Sequence, residues 1–324
     1  MSDLPKSIRI NEEGPREGFQ IESGDIPTAR KVELINALSE TGLRHMQIVS
    51  FVNPKRVPGQ ADAEQVVAAI DKKPGVDYTA TWLNEKGLER ALATGRLHVE
   101  GRVSLCASEN FLKRNNNKTF ATQIDYNHRV LEMYKQHNIP VTRGSIMAAF
   151  GCNFEGDIQT QTVVDMVGQI FDIAAQHELD FDVIALSDTM AWANPMQIRR
   201  TVGAVRDKYP DARISLHLHD TRGLAIANAY AGLQMGVDMY DACVAGLGGC
   251  PFAGHKGAAG NVCTEDLVFM CDEMGIETGI DLEKLTECAR LAEDIVGHPL
   301  PGSVMKGGSL RKYREARAKA ATTV

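Results

Sequence analysis

The feature that most constrains the fold is an eightfold alternation between short apolar runs and longer segments with helical periodicity. The strand-like runs span Ile8–Glu12, Leu43–Val49, Asp77–Leu83, Val99–Cys106, Val141–Ala149, Phe181–Leu186, Ile214–His219 and Met239–Val244. The helical patterns span Thr28–Thr41, Ala61–Asp71, Glu85–Thr94, Phe120–His137, Thr160–His177, Pro195–Tyr209, Leu224–Met235 and Thr264–Met274. Such alternation is typical of parallel βαβ units, and eight units predict an α/β fold of the closed (β/α)8 TIM-barrel type. An open, doubly wound sheet is the alternative.

The chain continues beyond the eighth helical pattern. Its 324 residues and 44% hydrophobic content suit one large barrel, and we expect residues 1–281 to form the catalytic barrel domain. Residues 282–324 are expected to form a helical extension packed on the barrel. This extension contains a ninth helical pattern at Leu282–Val296, a turn rich in Pro and Gly, and a basic tail at Arg311–Lys319.

Composition argues against several classes of partner. The net charge of -7 argues against a nucleic-acid partner, because such proteins usually carry a basic face. The first residues lack the apolar segment of a secretory signal, and no apolar run reaches the length of a membrane span. Seven Cys occur without C-x-x-C spacing, which is typical of reduced thiols. We therefore expect a cytoplasmic protein without nucleic-acid or membrane partners.

Two histidines give the sharpest chemical signal. His217 and His219 stand at the end of the seventh predicted strand, and residues two apart on a strand point to the same side. Active sites of these barrels gather at the carboxyl ends of the strands, where two inward imidazoles can bind one divalent cation. The alternative is a pair of core histidines that are hydrogen-bonded to neighbours.

Further reactive residues lie at other strand ends. Arg16 occupies a Gly-Pro-Arg-Glu-Gly turn, where it is either a solvated charge or a fixed cation facing developing negative charge. Asp188 could cap the following helix, orient a ligand or transfer a proton. Cys250 lies in the loop Gly246–Gly260, which has six glycines in fifteen residues and suits a mobile lid. Asn261 follows this loop, either as a helix N-cap or as an oxygen ligand of a metal.

Several motifs together resemble the 3-hydroxy-3-methylglutaryl-CoA lyase family of metal-dependent barrel lyases, over roughly residues 8 to 290. These motifs are EEGPREGFQIE, SFVNPKRVPG, CASENFLKRNNN, AFGCNFEGDI, LSDTM, LHLHDTRG, GLQMGVD and GLGGCPF followed by GN and TEDLV. The resemblance implies cleavage of the C2–C3 bond of a 3-hydroxyacyl-CoA, such as 3-hydroxy-3-methylglutaryl-CoA or citramalyl-CoA, to acetyl-CoA and a keto acid. It also implies a homodimer with a small-molecule acyl-CoA as its substrate.

The resemblance also implies roles for individual residues. The implied metal ligands are Glu17, His217, His219 and Asn261. The implied catalytic residues are Arg16, Asp188, Cys250 and His217. We expect substrate contacts from Arg16, Gln47, Asn115, His255 and Lys256. A mixed oxygen and imidazole ligand set predicts Mg²⁺ or Mn²⁺, with Zn²⁺ as a further option.

The sequence departs from the family pattern close to this site. Glu17 stands where the family has aspartate, and Gln47 stands where it has glutamate. The glycine-rich loop is also about two residues longer and contains His255 and Lys256. These changes predict a preference for a 3-hydroxyacyl-CoA other than 3-hydroxy-3-methylglutaryl-CoA.

Within the implied reaction, Arg16 would stabilise the enolate oxygen and Cys250 would protonate the carbon. The base that takes the hydroxyl proton stays open among Glu17, His217 and Asp188. Two other functions remain open: a Claisen-type synthase joining an acyl-CoA to a 2-oxo acid, and a non-catalytic binding barrel.

Overall fold

Eight parallel strands form one curled sheet. The computed structural model describes residues 4–22, 25–248 and 260–322. We number the strands β1 Arg9–Glu12, β2 His45–Phe51, β3 Asp77–Trp82, β4 Gly101–Cys106, β5 Val141–Met147, β6 Val183–Asp188, β7 Arg213–Leu218 and β8 Met239–Ala242. Their order in the sheet is β3-β2-β1-β8-β7-β6-β5-β4. Because β1 pairs with both β2 and β8, the sheet curls into a barrel, and the predicted TIM-barrel class is confirmed.

The barrel is splayed between β3 and β4. These strands form no ladder in the described chain, and a single backbone hydrogen bond from His98 N to Tyr78 O (2.8 Å) spans the gap. Side chains of the helix Phe120–Gln136 satisfy the free edge of β4 instead. Asn127 accepts from Ser104 N (3.0 Å) and donates to Ser104 O (2.9 Å), and Gln123 accepts from the N–H at the end of β4. These side-chain bonds replace the missing strand neighbour.

Eight helices cover the outside of the barrel. They are α1 Thr28–Ser39, α2 Ala63–Ala69, α3 Glu85–Ala93, α4 Phe120–Gln136, α5 Thr160–Gln176, α6 Pro195–Lys208, α7 Ala225–Gln234 and α8 Thr264–Glu273. Local sequence fixes where several begin. Asn194 and Gln197 form a capping box before α6, with Pro195 at its first position. Each helix packs an apolar face on the sheet, which makes one continuous core.

The predicted elements agree with the observed ones to within about three residues. Among the small elements that were not predicted, two follow β4 and β5. A helix at Glu109–Asn116 follows β4 and begins at Ser108, whose hydroxyl accepts from Phe111 N. A two-stranded antiparallel hairpin pairs Gly151–Cys152 with Gly156–Asp157 after β5. Both lie at the carboxyl ends of strands and so extend the wall around the barrel mouth.

The C-terminal segment begins with α9, Leu282–Val296. Its apolar side is buried at Leu285 and Ala289, and Lys284 donates to Glu40 O at the end of α1. The short helix Val304–Gly307 and the exposed helix Arg311–Thr322 follow. The division of the chain at residue 281 stays a prediction. None of the helices in the described ranges combines the length and apolar character that a membrane crossing requires.

Candidate active site

A cavity of about 740 Å³ opens at the carboxyl ends of the barrel strands. Charged and polar side chains from seven strands or the segments after them line it: Glu13, Arg16, Glu17, Gln47, Arg102, Asn115, Arg143, Ser187, His217, His219 and Asp241. TIM-barrel enzymes place their active sites at this end of the barrel. The polar and charged groups at these strand ends thus share one face of the barrel.

The first part of the site is a single π-helical turn at Gly14–Gly18, directly after β1. This turn presents Arg16 and Glu17 to the cavity. Glycine is required where the turn begins, because a Cβ at Gly14 would lie 2.6 Å from a carboxylate oxygen of Glu12. π-Helical turns are rare in proteins, and those that do occur are often found at functional sites.

Glu12 fastens this turn to the rest of the barrel mouth. Its buried carboxylate accepts hydrogen bonds from Gly14 N (2.7 Å), Val244 N (2.9 Å) and Thr264 Oγ1 (2.6 Å). Burial raises the pKa of Glu12 to about 7 despite these bonds. One carboxylate thus ties together the end of β1, the turn after β8 and the start of α8.

Arg16 is held between two buried carboxylates. Its Nη1 lies 2.8 Å from Glu17 Oε2, and its Nη2 pairs with Glu13. Its Nε is buried and has no hydrogen-bond partner in the described chain. Burial alone would raise the pKa of Glu17, but Arg16 and His217 outweigh it and hold that pKa well below its usual range. The site therefore keeps Glu17 ionised.

Glu17, His217 and His219 form a cluster with the donor set of a divalent-cation site. The two Nε2 atoms are 3.0 Å apart, and Glu17 Oε1 lies 3.2 Å from His219 Nε2 and 3.9 Å from His217 Nε2. Two imidazole nitrogens and a carboxylate oxygen that face one point are ligands that divalent metals accept. The sequence prediction of a shared cation for the histidine pair thus has suitable geometry.

Asp241, in β8, orients the first histidine. Its Oδ2 lies 3.3 Å from His217 Nδ1, and its Oδ1 accepts from Asn11 Nδ2 at 2.7 Å. A carboxylate at Nδ1 holds the proton there and leaves Nε2 free for a metal. Burial lowers the pKa of His217, but Glu17, Asp241 and Glu13 outweigh burial and raise that pKa to about 9 in the metal-free protein, so a metal would displace the Nε2 proton on binding.

Asn261 contributes an unsatisfied oxygen beside this cluster. A backbone bridge joins it to His219, and its Nδ2 donates to Cys243 Sγ at 3.0 Å. Its Oδ1 is buried without a partner in the described chain, a costly state that a cation would relieve. A Cβ at Gly248 would approach Asn261 Nδ2 to 2.8 Å and Glu17 Cγ to 3.0 Å. The backbone therefore packs tightly against two of the predicted ligands.

Asp188 ends β6 and is buried. Its Oδ1 accepts from Trp192 N (2.7 Å) and Ala193 N (3.1 Å), whereas Oδ2 is buried without a hydrogen-bond partner among the described residues. Burial raises its pKa to about 6, and the charges of His219 and His217 oppose that rise. Its neighbours Ser187 and Thr189 line the cavity, whereas Asp188 itself is not among the lining residues.

Six of the predicted site residues line the cavity, namely Arg16, Glu17, Gln47, Asn115, His217 and His219, whereas Asp188 and Asn261 are not among the lining residues. The roles of all of them stay predictions. Gln47 and Asn115 line the cavity, and Gln47 Oε1 accepts from Thr81 Oγ1 at 2.7 Å. Three predicted residues lie outside the described part of the chain: Cys250, His255 and Lys256.

Four charged residues of the site were not assigned from the sequence: Glu13, Arg102, Arg143 and Asp241. Each faces the barrel interior from a strand or the residue after it. The i, i+2 alternation that singled out the histidines applies to every strand. Three of them, Arg102, Arg143 and Asp241, occupy inward-facing positions of β4, β5 and β8. Selecting the charged residues at the inward-facing positions of each predicted strand would therefore have identified them.

The cavity rim is basic. Arg56, Lys86, Lys118 and Arg129 line it, and none has an ion-pair partner in the ranges that the structure covers. Lys118 lies over the ring of Tyr126, and burial together with Arg129 lowers the pKa of Lys118 to about 8. Four cations without carboxylate partners make this rim a place for a polyanion.

Comparison with known proteins identifies a matching family and several similar proteins. The HMGL-like family model matches residues 7–292. The chain is 39% identical over 297 residues to the hydroxymethylglutaryl-CoA lyase YngG of Bacillus subtilis (strain 168), covering 92% of this chain and 96% of that protein. It is also 39% identical over 287 residues to the cytoplasmic 3-hydroxy-3-methylglutaryl-CoA lyase of Rattus norvegicus, covering 89% and 80% of the two chains.

Solved structures agree with these sequence matches. The crystal structure of the Bacillus subtilis HMG-CoA lyase superposes with a TM-score of 0.84 at 38% identity, over 92% of this chain and 97% of that one. An HMG-CoA lyase from Acinetobacter baumannii, in complex with coenzyme A and 3-methylmalate, gives a TM-score of 0.83 at 35% identity, over 95% and 97%.

Proposed function

The chain belongs to the HMGL-like family and is a carbon–carbon lyase, and from this premise we propose that it cleaves the C2–C3 bond of a 3-hydroxyacyl-CoA. One observation carries the proposal: the Glu17, His217 and His219 cluster lies with Arg16 in one cavity. A cation-binding group and a fixed guanidinium are what a retro-Claisen cleavage needs beside the reacting carbons.

The basic rim supports coenzyme A as the carrier. Arg56, Lys86, Lys118 and Arg129 are unpaired in the described chain and suit the phosphates of the nucleotide end. The related structure from Acinetobacter baumannii holds coenzyme A. We propose that this rim binds the phosphates and directs the acyl group toward the strand ends.

HMGL-like lyases depend on a divalent metal, and the residues here fit one. Glu17, His217, His219 and Asn261 would hold it, because the unsatisfied Asn261 Oδ1 completes the oxygen and nitrogen set. Such a cation supplies Lewis-acid polarisation of substrate oxygens. Mg²⁺ or Mn²⁺ suits this set best, with Zn²⁺ as the alternative that metal analysis would distinguish.

Protein side chains account for the charge and proton movements. The base takes the proton of the 3-hydroxyl, the C2–C3 pair of electrons moves onto the thioester as an enolate, and C3 becomes a carbonyl. Arg16 faces the enolate oxygen and stabilises its charge. The base stays open among Glu17 and His217, which line the cavity, and Asp188, one of whose oxygens has no partner in the described chain and whose pKa is about 6.

The enolate then needs a proton at C2 to become acetyl-CoA. We propose Cys250 for this step, as the family resemblance implies, although this residue lies outside the described ranges. A Cys250→Ala variant should retain metal content and fold while its turnover falls about 100-fold or more. Wild-type turnover in this variant would exclude the thiol as the acid.

The test is a panel of thioesters assayed for acetyl-CoA release with Mg²⁺ or Mn²⁺. The panel contains 3-hydroxy-3-methylglutaryl-CoA, citramalyl-CoA and their analogues without the 3-hydroxyl. We expect cleavage only of the hydroxylated thioesters, and only with metal. Condensation of acetyl-CoA with a 2-oxo acid, without any cleavage, would favour the synthase instead. The homodimer implied by the resemblance stays a prediction that light scattering tests.

A further inference from the structure

Glu13 lies beside the predicted reaction centre and has no role in the scheme above. Its backbone is fixed on both sides: Glu13 N donates to Ala242 O in β8 (2.8 Å), and Glu13 O accepts from Arg16 N (3.1 Å) and Glu17 N (2.7 Å). Its side chain is buried and lines the main cavity. The start of the π-helical turn and the end of β8 therefore set together where this carboxylate stands.

Glu13 faces the side of His217 that is turned away from the cation cluster. Its Oε2 lies 3.8 Å from His217 Nδ1, whereas Glu17 and His219 approach His217 Nε2. One imidazole cannot direct both of its nitrogens at the same cation. Glu13 is therefore not a ligand of the cation that this cluster would hold, and any effect on that cation passes through a neighbour.

That neighbour is Arg16, which is shared between two carboxylates. Its Nη2 pairs with Glu13, and its Nη1 lies 2.8 Å from Glu17 Oε2. Glu17 in turn divides its two oxygens, because Oε2 faces Arg16 while Oε1 lies 3.2 Å from His219 Nε2. Only Oε1 of Glu17 is directed toward the histidines that would share the cation.

A guanidinium with both Nη atoms available would take both oxygens of Glu17. Arginine and carboxylate groups often pair through two parallel hydrogen bonds, and this arrangement is stronger than a single bond. Here Nη2 is already paired with Glu13, so Arg16 reaches Glu17 through Nη1 alone. Without the Glu13 carboxylate, Nη2 would be free to draw Oε1 away from the histidines.

We propose that Glu13 is a positioning residue, which keeps one oxygen of Glu17 available to the cation by occupying one side of Arg16. This inference rests on the proposed function, since it takes Glu17 as a metal ligand. Glu13 thereby separates two adjacent residues with different tasks: Arg16 faces the developing negative charge of the substrate, and Glu17 binds the metal.

The experiment is a double-variant cycle that follows Mn²⁺ binding to metal-free protein by isothermal titration. Glu13→Gln keeps the size of the side chain and removes its charge. Arg16→Lys keeps a positive charge, but an ammonium group cannot form the two parallel hydrogen bonds. We expect Glu13→Gln to weaken Mn²⁺ binding about tenfold or more when Arg16 is present, and less than about threefold in the Arg16→Lys background.

The cycle separates this contact from the bare charge of Glu13. If Glu13 acts only through its charge, Glu13→Gln weakens Mn²⁺ binding by the same factor in both backgrounds. That result would overturn the proposal, and so would unchanged binding when Arg16 is present. Glu13→Met, uncharged and of similar length, repeats the test if Glu13→Gln folds poorly.

Asp62→Asn is the matched control. Asp62 also pairs with a buried cation, Lys31 at 2.7 Å, but does not line the cavity, so we expect wild-type affinity for Mn²⁺. A loss as large as that of Glu13→Gln would assign the effect to a weakened fold and would contradict the proposal. Absent cleavage in the thioester panel, with the expected cycle, would refute the lyase proposal alone, whereas wild type that binds no Mn²⁺ would overturn this inference together with the metal site.

Discussion

Replacing Asp241 with asparagine should weaken the metal site while its ligands stay in place. Asp241 Oδ1 accepts from Asn11, and Oδ2 faces His217 Nδ1. The carboxamide introduced by Asp241→Asn can keep its oxygen toward Asn11. The NH₂ group of the same carboxamide then faces His217. To pair with that N–H, Nδ1 must act as acceptor, so the imidazole proton moves to Nε2. A protonated Nε2 cannot bind a metal.

The size of the effect follows from the contact that is lost. Carboxylates that orient metal-binding histidines are worth about 10- to 100-fold in metal affinity. This range equals about 1.4–2.7 kcal/mol. The carboxylate and imidazole are both nearly buried, so we expect a loss toward the upper end for Asp241→Asn. The fold should persist, because the bond to Asn11 is kept.

The assay is titration of metal-free protein with Mn²⁺ at fixed pH. Asp77→Asn is the matched control: Asp77 Oδ2 lies 3.0 Å from His45 Nδ1, the same kind of pair on β2 and β3. We expect the control to retain wild-type affinity. If Asp241→Asn also binds Mn²⁺ within about twofold of wild type, then the carboxylate does not set the tautomer and the reasoning is wrong.

Three further predictions follow from single contacts. Gly248→Ala should weaken Mn²⁺ binding about tenfold or more, because its methyl would lie 2.8 Å and 3.0 Å from two predicted ligand side chains; Gly223→Ala, with a similarly positive φ but open space around it, should not. Burial raises the pKa of Glu265 to about 7 from 4.5, so the folded protein holds the proton more tightly and loses stability as pH rises through that window. The free energy of unfolding of Glu265→Gln, relative to that of wild type, should therefore rise by about 1–3 kcal/mol between about pH 5 and about pH 8 in denaturant titrations. The same pH dependence in both proteins would contradict this. Arg16→Gln should lower the free energy of unfolding by about 3–5 kcal/mol because two buried carboxylates lose their cation, and adding Glu13→Gln should restore part of it; a double variant no more stable than the single one would count against the network.

The barrel was predictable because its signal is periodic and local. Each strand and helix of the barrel carries its own hydrophobic pattern, and the order of eight such units leaves few topologies. The pair His217 and His219 was found for the same reason, since two residues on one strand share a side. The edge of β4 is not visible in such a pattern, because the side chain of Asn127 satisfies it rather than a strand.

The remaining site residues depend on contacts that no local pattern records. Asp241 meets His217 across a strand pair, and it meets Asn11 across 230 positions of sequence. The pairing of Arg102 with Arg143 depends on the register between β4 and β5. Register is fixed by packing of the whole sheet, so a strand prediction alone cannot provide it.

The measurement that tests the central claim most directly is metal content. We compare wild type with a His217→Ala, His219→Ala double variant by elemental analysis after equal exposure to Mn²⁺, and confirm the fold by circular dichroism. The account predicts close to one metal per wild-type chain, almost none in the double variant, and loss of acetyl-CoA release in parallel. Undiminished metal in a folded double variant would contradict it.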